Sequence, residues 1–272
     1  MLSELRRITA SIVQGSGLEP TAFVLTASDL RALSLLIFLN KYADDCYLIV
    51  PPDQASLIST ELAHVEKWAQ DNNLKLNVLK TKEMIVRRPR TRLGNIPPPT
   101  PGIERVSSMK ILGVVFEENF TFREHVERLV TQSNQGLYAI RTLRAQGLSG
   151  THLWNVTRAT IVARMTYASP SWWGLLDEGS RQRLQAIITK MQKQGLLQCD
   201  HPTMMELCDA ADSKLFAAIL HNPHHVLHRL LPPVRESTYN LRQRPHDRTI
   251  PLIKNTIFKK TFINRMALKD SY

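Results

Sequence analysis

The sequence predicts an α+β chain in which an antiparallel sheet with helices is followed by a mainly helical region. Three features predict it. Two apolar runs, Leu35-Leu36-Ile37-Phe38-Leu39 and Cys46-Tyr47-Leu48-Ile49-Val50, flank the tetrapeptide Tyr42-Ala43-Asp44-Asp45, the pattern of a β-hairpin with an acidic tip. Between Gln54 and Asn73, apolar residues recur at Leu57, Ile58, Leu62, Val65, Trp68 and Ala69, one stripe of an amphipathic helix. From about Thr121 to Cys199 the helical spacing returns repeatedly.

Taken in order, the chain opens with Ile12-Val13-Gln14-Gly15-Ser16-Gly17-Leu18-Glu19-Pro20, and a helical stretch runs from Phe23 through Leu33. The acidic hairpin and the helix 54–73 follow, with Trp68 read as a core anchor. Leu74 to Val86 alternates loosely and predicts strand-turn-strand. Arg87, Arg88, Arg90 and Arg92 lead into Ile96-Pro97-Pro98-Pro99-Thr100-Pro101-Gly102, a loop because proline blocks both ladders and helices. Ile111 to Phe116 reads as a strand, with its return or a loop at Phe120 to Phe122. Helices are predicted near Phe122–Leu143, Thr151–Tyr167 and Arg181–Leu197. On the last, Arg181, Arg183, Lys190 and Lys193 are expected to be exposed. Trp172 and Trp173 fall in a loop, where helix packing is the favoured role over base stacking. From Arg229 onward ten Lys and Arg stand against Glu236, Asp247 and Asp270. That stretch reads as an extended basic tail ending in a short helix near Thr261–Leu268.

Composition narrows the function. The chain has 272 residues, a net charge of +11 and 43% hydrophobic residues, which argues for one large or two modest globular domains. A strongly basic chain points to an anionic partner, nucleic acid first, because covering phosphates releases counterions. Cys46, Cys199 and Cys208 are an odd set without close pairing; they suit a reducing, intracellular compartment better than a disulfide framework or a zinc ribbon. No run approaches the roughly 20 apolar residues of a membrane span, and the charged start lacks a secretory core. His221, His224, His225 and His228 cluster, but no nearby Cys or acid completes a metal set.

The acidic tip carries the chemistry. Adjacent carboxylates at a turn repel each other, and a hard divalent cation such as Mg²⁺ or Mn²⁺ removes the conflict through oxygen ligation. That arrangement suits phosphoryl transfer by two cations about 4 Å apart. An ordinary polar turn remains the alternative at this stage, since Asp is common in turns.

Four blocks in order break the tie: Gln14-Gly15-Ser16, Tyr42-Ala43-Asp44-Asp45, Asn77-Val78-Leu79-Lys80-Thr81, and Leu112-Gly113-Val114. Together they resemble the late palm motifs of reverse transcriptases, above all those of non-LTR (LINE-type) retrotransposons. The resemblance continues through Tyr167-Ala168-Ser169-Pro170-Ser171-Trp172-Trp173 and Tyr239-Asn240-Leu241-Arg242 to Phe262-Ile263-Asn264-Arg265-Met266. It implies a partial right-hand polymerase palm over 1–118, a helical thumb-like region over 119–199 and a basic carboxyl-terminal region over 200–272.

The resemblance also implies roles. Asp44 and Asp45 would be the catalytic, metal-binding pair. Gln14, Gly15, Ser16, Tyr42 and Lys80 would contact nucleotide and template. Leu112, Gly113 and Val114 would grip the primer, and Arg87, Arg88, Arg90 and Arg92 would contact the nucleic-acid backbone. Partners would be an RNA template with a DNA primer, or an RNA–DNA hybrid. Two departures stand out. Family members carry a further metal-binding Asp on an upstream strand, whereas residues 1–10 contain none and Asp29 falls in the predicted helix. Glu19 also stands where the family usually has Gly before Pro. The expectation is a fragment of an RNA-directed DNA polymerase that is inactive alone. The alternatives are a non-catalytic nucleic-acid-binding remnant and a relic without a role.

Overall fold

In the computed structural model, residues 19–87, 96–235, 246–253 and 255–269 are described. The chain divides into two compact units, one of Met1–Ile85 with Arg90–Ser107, the other of Val86–Pro89 with Ser108–Tyr272. Helices and small sheets are both present, as an α+β chain requires.

In the first unit, helix α1 spans Glu19–Thr26. It ends well before Leu33, so the predicted helical stretch is shorter than its apolar pattern suggested. Asp29 lies in the turn beyond the helix, where its Oδ1 accepts a hydrogen bond from Trp68 Nε1 at 2.9 Å. The first strand is also displaced. Strand β1 is Phe38–Tyr42 and β2 is Asp45–Ile49. Leu35, within the predicted strand, sits in a turn and is 99% exposed. The strands pair antiparallel with Tyr42 opposite Asp45, Asn40 opposite Tyr47 and Phe38 opposite Ile49.

Only Ala43 and Asp44 form the turn, and Ala43 holds φ at +50°. A side chain in the left-handed region costs roughly 1–2 kcal/mol. Glycine avoids that cost but gives back about 0.4–1 kcal/mol through its freer unfolded state. Ala43→Gly should therefore stabilise the hairpin by up to about 1 kcal/mol, read as slower amide exchange across the β1–β2 ladder. Unchanged or faster exchange would show that the turn is not strained at Ala43.

Helix α2, Ile58–Asp71, carries the predicted stripe, yet of its apolar members only Ala69 is buried. Polar hooks on the same helix hold the preceding segment. The buried Glu61 carboxylate accepts from Leu33 N at 3.0 Å and Ser34 N at 2.9 Å. His64 Nε2 lies 3.1 Å from Arg31 O. With Trp68 on Asp29, these residues recur at i, i+3 and i+7, one helical face.

The strand-turn-strand expected over 74–86 does not form. Asn77 draws the chain into a local turn instead: its Oδ1 accepts from Lys80 N at 3.2 Å and its carbonyl accepts from Thr81 Oγ1 at 2.9 Å. Such local bonds compete with a ladder. Only β3, Lys82–Glu83, remains extended, paired in parallel with β4, Glu104–Arg105. Arg105 organises the proline loop by donating to Pro97 O at 2.8 Å and Pro98 O at 2.9 Å.

In the second unit, β5 (Ser108–Ile111) and β6 (Val114–Glu117) form an antiparallel hairpin. The single strand predicted over 111–116 is thus broken in its middle. Leu112 and Gly113 hold φ at +46° and +93°, the positive pair of a type I′ turn. Phe120 and Phe122, also at positive φ, lie in the loop that follows. Phe116 packs edge-on to both, at 6.3 and 5.1 Å.

Helix α3, Arg123–Ala145, buries Val126, Leu129, Ser133, Leu137 and Ile140 and lies close to the predicted helix. The helix predicted over 151–167 runs as α4 (Gly150–Thr157), a π-helical turn (Arg158–Val162) and α5 (Ala163–Thr166). Thr157 and Thr160 donate side-chain bonds back to Leu153 O and Val156 O, of the kind that bends helices. Trp172 and Trp173 lie not in a loop but in α6 (Ser169–Trp172) and the 3₁₀ turn after it. Both are buried, so they pack rather than stack on bases.

Helix α7, Glu178–Lys193, starts at Asp177, whose Oδ1 accepts from Ser180 N at 2.8 Å. Arg181 is only half-exposed there, its guanidinium 5.2 Å from the Trp173 ring centre. Ahead of the basic stretch that begins at Arg229, the structure adds a helix that the sequence reading does not predict. Helix α8, Met204–His221, is opened by a full capping box of Thr203 and Glu206, a signal visible in the sequence. Helices α9 (Thr256–Lys260) and α10 (Phe262–Leu268) close the unit, the latter where a short helix was expected.

Candidate functional site

The acidic pair sits at the tip of the β1–β2 hairpin. Asp44 occupies the turn and Asp45 opens β2, opposite Tyr42. All three side chains are exposed. Asp45 Oδ2 accepts from Tyr47 Oη at 3.2 Å. Behind them, Lys41 donates to Ala27 O and to Leu30 O at 2.7 Å, fastening the hairpin to the segment after α1. Burial pushes the Cys46 thiol up; Lys41 opposes this, and Asp45 and Asp44 add to it.

Oxygen-only donors match Mg²⁺ or Mn²⁺, and one or two carboxylates are what a single Mg²⁺ usually takes from a protein. Among the described residues, no group of three or more His, Cys, Asp or Glu side chains is arranged to hold a metal. Asp44 and Asp45 are thus two neighbouring exposed carboxylates, and among the described residues no further His, Cys, Asp or Glu joins them to make a group of three. The His221–His228 cluster likewise forms no such group.

The other predicted positions divide. Gln14, Gly15, Ser16, Arg88, Arg90 and Arg92 lie outside the described residues. Lys80 is exposed in the Asn77 turn, within the same unit as the acidic pair. Arg87 is engaged: its backbone N donates to Glu118 O at 2.8 Å and its guanidinium meets Glu118 Oε1 at 2.6 Å. A phosphate would have to compete with that carboxylate for Arg87. Leu112, Gly113 and Val114 form the tip of the β5–β6 hairpin. The chain matches no family model, no curated protein and no solved structure.

The second unit carries a charged seam where α3 and α7 lie side by side and parallel. Arg123 faces Asp177 at 3.5 Å, Glu127 faces Arg183 at 2.5 Å, Asn134 faces Lys190 at 3.3 Å, and Gln194 accepts from Arg141 at 2.9 Å. Contacts seven residues apart recur about every 10.5 Å along the axes. The charge changes along the seam. Near the helix starts, a cavity of about 460 Å³ is lined by Arg123, Glu124, Glu127, Asp177 and Arg183, where acids and bases offset each other. Further along α7, a cavity of about 540 Å³ is lined by Gln182, Gln185, Thr189, Lys190, Lys193 and Gln194. It carries two cations and no acid.

Several residues that shape these surfaces escaped the sequence. Lys41 and Glu61 look like surface charges, yet both hold backbone around the acidic hairpin. Tyr167 reaches Leu112 O from a distant helix end. Glu61 left a trace in its helical spacing with His64 and Trp68, and Tyr167 heads the Tyr167–Trp173 block of the resemblance, though its contact with Leu112 is not legible there. Among the described residues, no helix is long and apolar enough to cross a membrane.

Proposed function

We propose that this chain is the late palm and thumb part of an RNA-directed DNA polymerase of the non-LTR retrotransposon type. The observation that carries the reading is the acidic hairpin: two exposed neighbouring carboxylates on a two-residue turn, with an exposed tyrosine across the ladder. In this reading Asp44 and Asp45 hold one divalent cation, which when bound neutralises charge developing on the transferred phosphoryl group. Tyr42 and Lys80 contact nucleotide and template, as do Gln14, Gly15 and Ser16. The Leu112-Gly113-Val114 tip presents backbone to the primer. Arg87, Arg88, Arg90 and Arg92 lie along the template–primer duplex, Arg87 after release from Glu118. A further carboxylate must complete the cation centre, so the chain does not polymerise alone.

The direct test is cation binding, which needs no turnover. Mn²⁺ should broaden the amide signals of residues 42–47 selectively, and Asp44→Asn should abolish the effect. Broadening spread evenly over the acidic surface, or unchanged in Asp44→Asn, refutes a site at the hairpin. Primer extension with Mg²⁺ on an RNA template gives the companion readout, with no incorporation expected from the chain alone.

The acid-free groove on α7 favours a second reading, a non-catalytic nucleic-acid-binding remnant. Its signature is affinity for a primer–template duplex that falls linearly with salt on logarithmic axes, together with no selective Mn²⁺ site.

A further inference from the structure

The β5–β6 hairpin tip is held from outside by one side chain. Tyr167, at the end of α5, donates its phenol hydroxyl to Leu112 O at 3.0 Å. Its ring lies against the turn: a Cβ on Gly113 would come within 3.1 Å of Tyr167 Cε1. Leu112 holds φ at +46°, a conformation that costs a side-chain-bearing residue free energy and persists when its surroundings over-determine it. The Tyr167 bond falls on the carbonyl of that residue.

Tyr167 is itself fixed. Trp172, fully buried, donates Nε1 to Tyr167 O at 3.0 Å. The Trp172 ring meets His125 edge-on at 5.1 Å. His125 Nδ1 in turn accepts from Val115 N, two residues past the turn, at 3.4 Å. Turn, phenol, indole, imidazole and strand thus form a closed circuit. A hairpin tip attached only through its two strands could sway, whereas this one is tied on both sides of the turn to one buried tryptophan.

We infer that Tyr167 is a positioning residue that sets where the Leu112-Gly113 tip meets a primer terminus. The inference rests on the polymerase reading above and adds a role that none of the four motif blocks contains. Tyr167 is 55% exposed, so its contact with the tip does more for placement than for the core. Placement to within about 0.5 Å is what a binding constellation demands of its supports.

The test uses the full chain and an RNA–DNA primer–template carrying 4-thiothymidine at the primer 3′ end. In the wild-type chain, photocross-links should map to residues 112–114. Tyr167→Phe keeps the ring over Gly113 and removes only the hydroxyl. It should lower the cross-link yield at the tip about fivefold, the factor set by the net strength of one hydrogen bond. Duplex affinity should stay within about twofold, because most of the interface is unchanged. A purely structural role would leave the cross-link position and yield intact in a folded variant. If wild type cross-links at the tip and Tyr167→Phe does so equally, the positioning role is overturned while the polymerase reading stands. If the wild-type chain gives no cross-link at the tip, the reading of that hairpin falls and the positioning role with it.

Discussion

Replacing Gly174 by alanine is expected to undock the carboxyl-terminal helices. A Cβ there would lie 1.5 Å from Arg265 Nη1 and 2.6 Å from Lys260 O. A guanidinium can swing aside, but a backbone carbonyl cannot, so α9 and α10 would have to move together. Their anchor would be lost in the move. Arg265 Nη2 meets Asp212 Oδ2 at 2.7 Å, and Asp212 is 2% exposed with its Oδ1 unpartnered. Burial lifts the Asp212 carboxyl above its ordinary range even with Arg265 pulling it back. Removing the cation from a buried pair costs about 3–5 kcal/mol, because the remaining charge is stranded.

Gly174→Ala and Arg265→Ala should each lower stability by about that amount, seen as a lower midpoint in denaturant and early proteolysis within residues 255–269. Their effects should not add, since both displace the same guanidinium. Proteolysis and a midpoint matching wild type in Gly174→Ala would refute the clasp.

The second large effect is expected from pH. His125 is buried against Trp172, with Nε2 unpartnered and Nδ1 accepting from Val115 N. Burial, helped by the nearby Arg128 charge, holds its imidazole down at about 4 against an ordinary value of 6.5. Between those two pH values the unfolded chain binds a proton that the folded chain refuses. The His125 contribution to stability is therefore constant above about pH 6.5 and is lost as pH drops toward 4. The slope is 1.36 kcal/mol per unit and the total loss about 3 kcal/mol. His125→Gln should flatten the slope in that window. The edge-on Trp172 makes the part of the indole fluorescence lost in Trp172→Phe a reporter of the same titration. If the slope between pH 6.5 and 4 is the same in His125→Gln, another group is responsible.

What was readable in the sequence was local. The acidic turn and the α2 and α3 helices follow from residues within one or two turns of each other, although of the apolar residues on α2 only Ala69 is buried. Errors came where a local pattern met a competing local bond. Leu74 to Val86 had strand-like alternation, but Asn77 closed a turn on itself. Ile111 to Phe116 was uniform enough to pass as one strand, while Leu112 and Gly113 turned left-handed. The long helix from Met204 carries its start signal in Thr203 and Glu206 but has no strong apolar stripe to extend it.

Chain chemistry alone was enough for the basic character, the helical spacing and the twin carboxylates, because each depends on near neighbours or on totals. Folding settled the rest by bringing together side chains far apart in the chain: Arg265 with Asp212, Tyr167 with Leu112, Glu61 with the backbone of Leu33 and Ser34. Apart from the helical spacing of Glu61 with His64 and Trp68, such pairs leave no periodic mark, since either partner taken singly has the chemistry of an ordinary surface residue. Each contact exists only once the elements that carry its partners have packed.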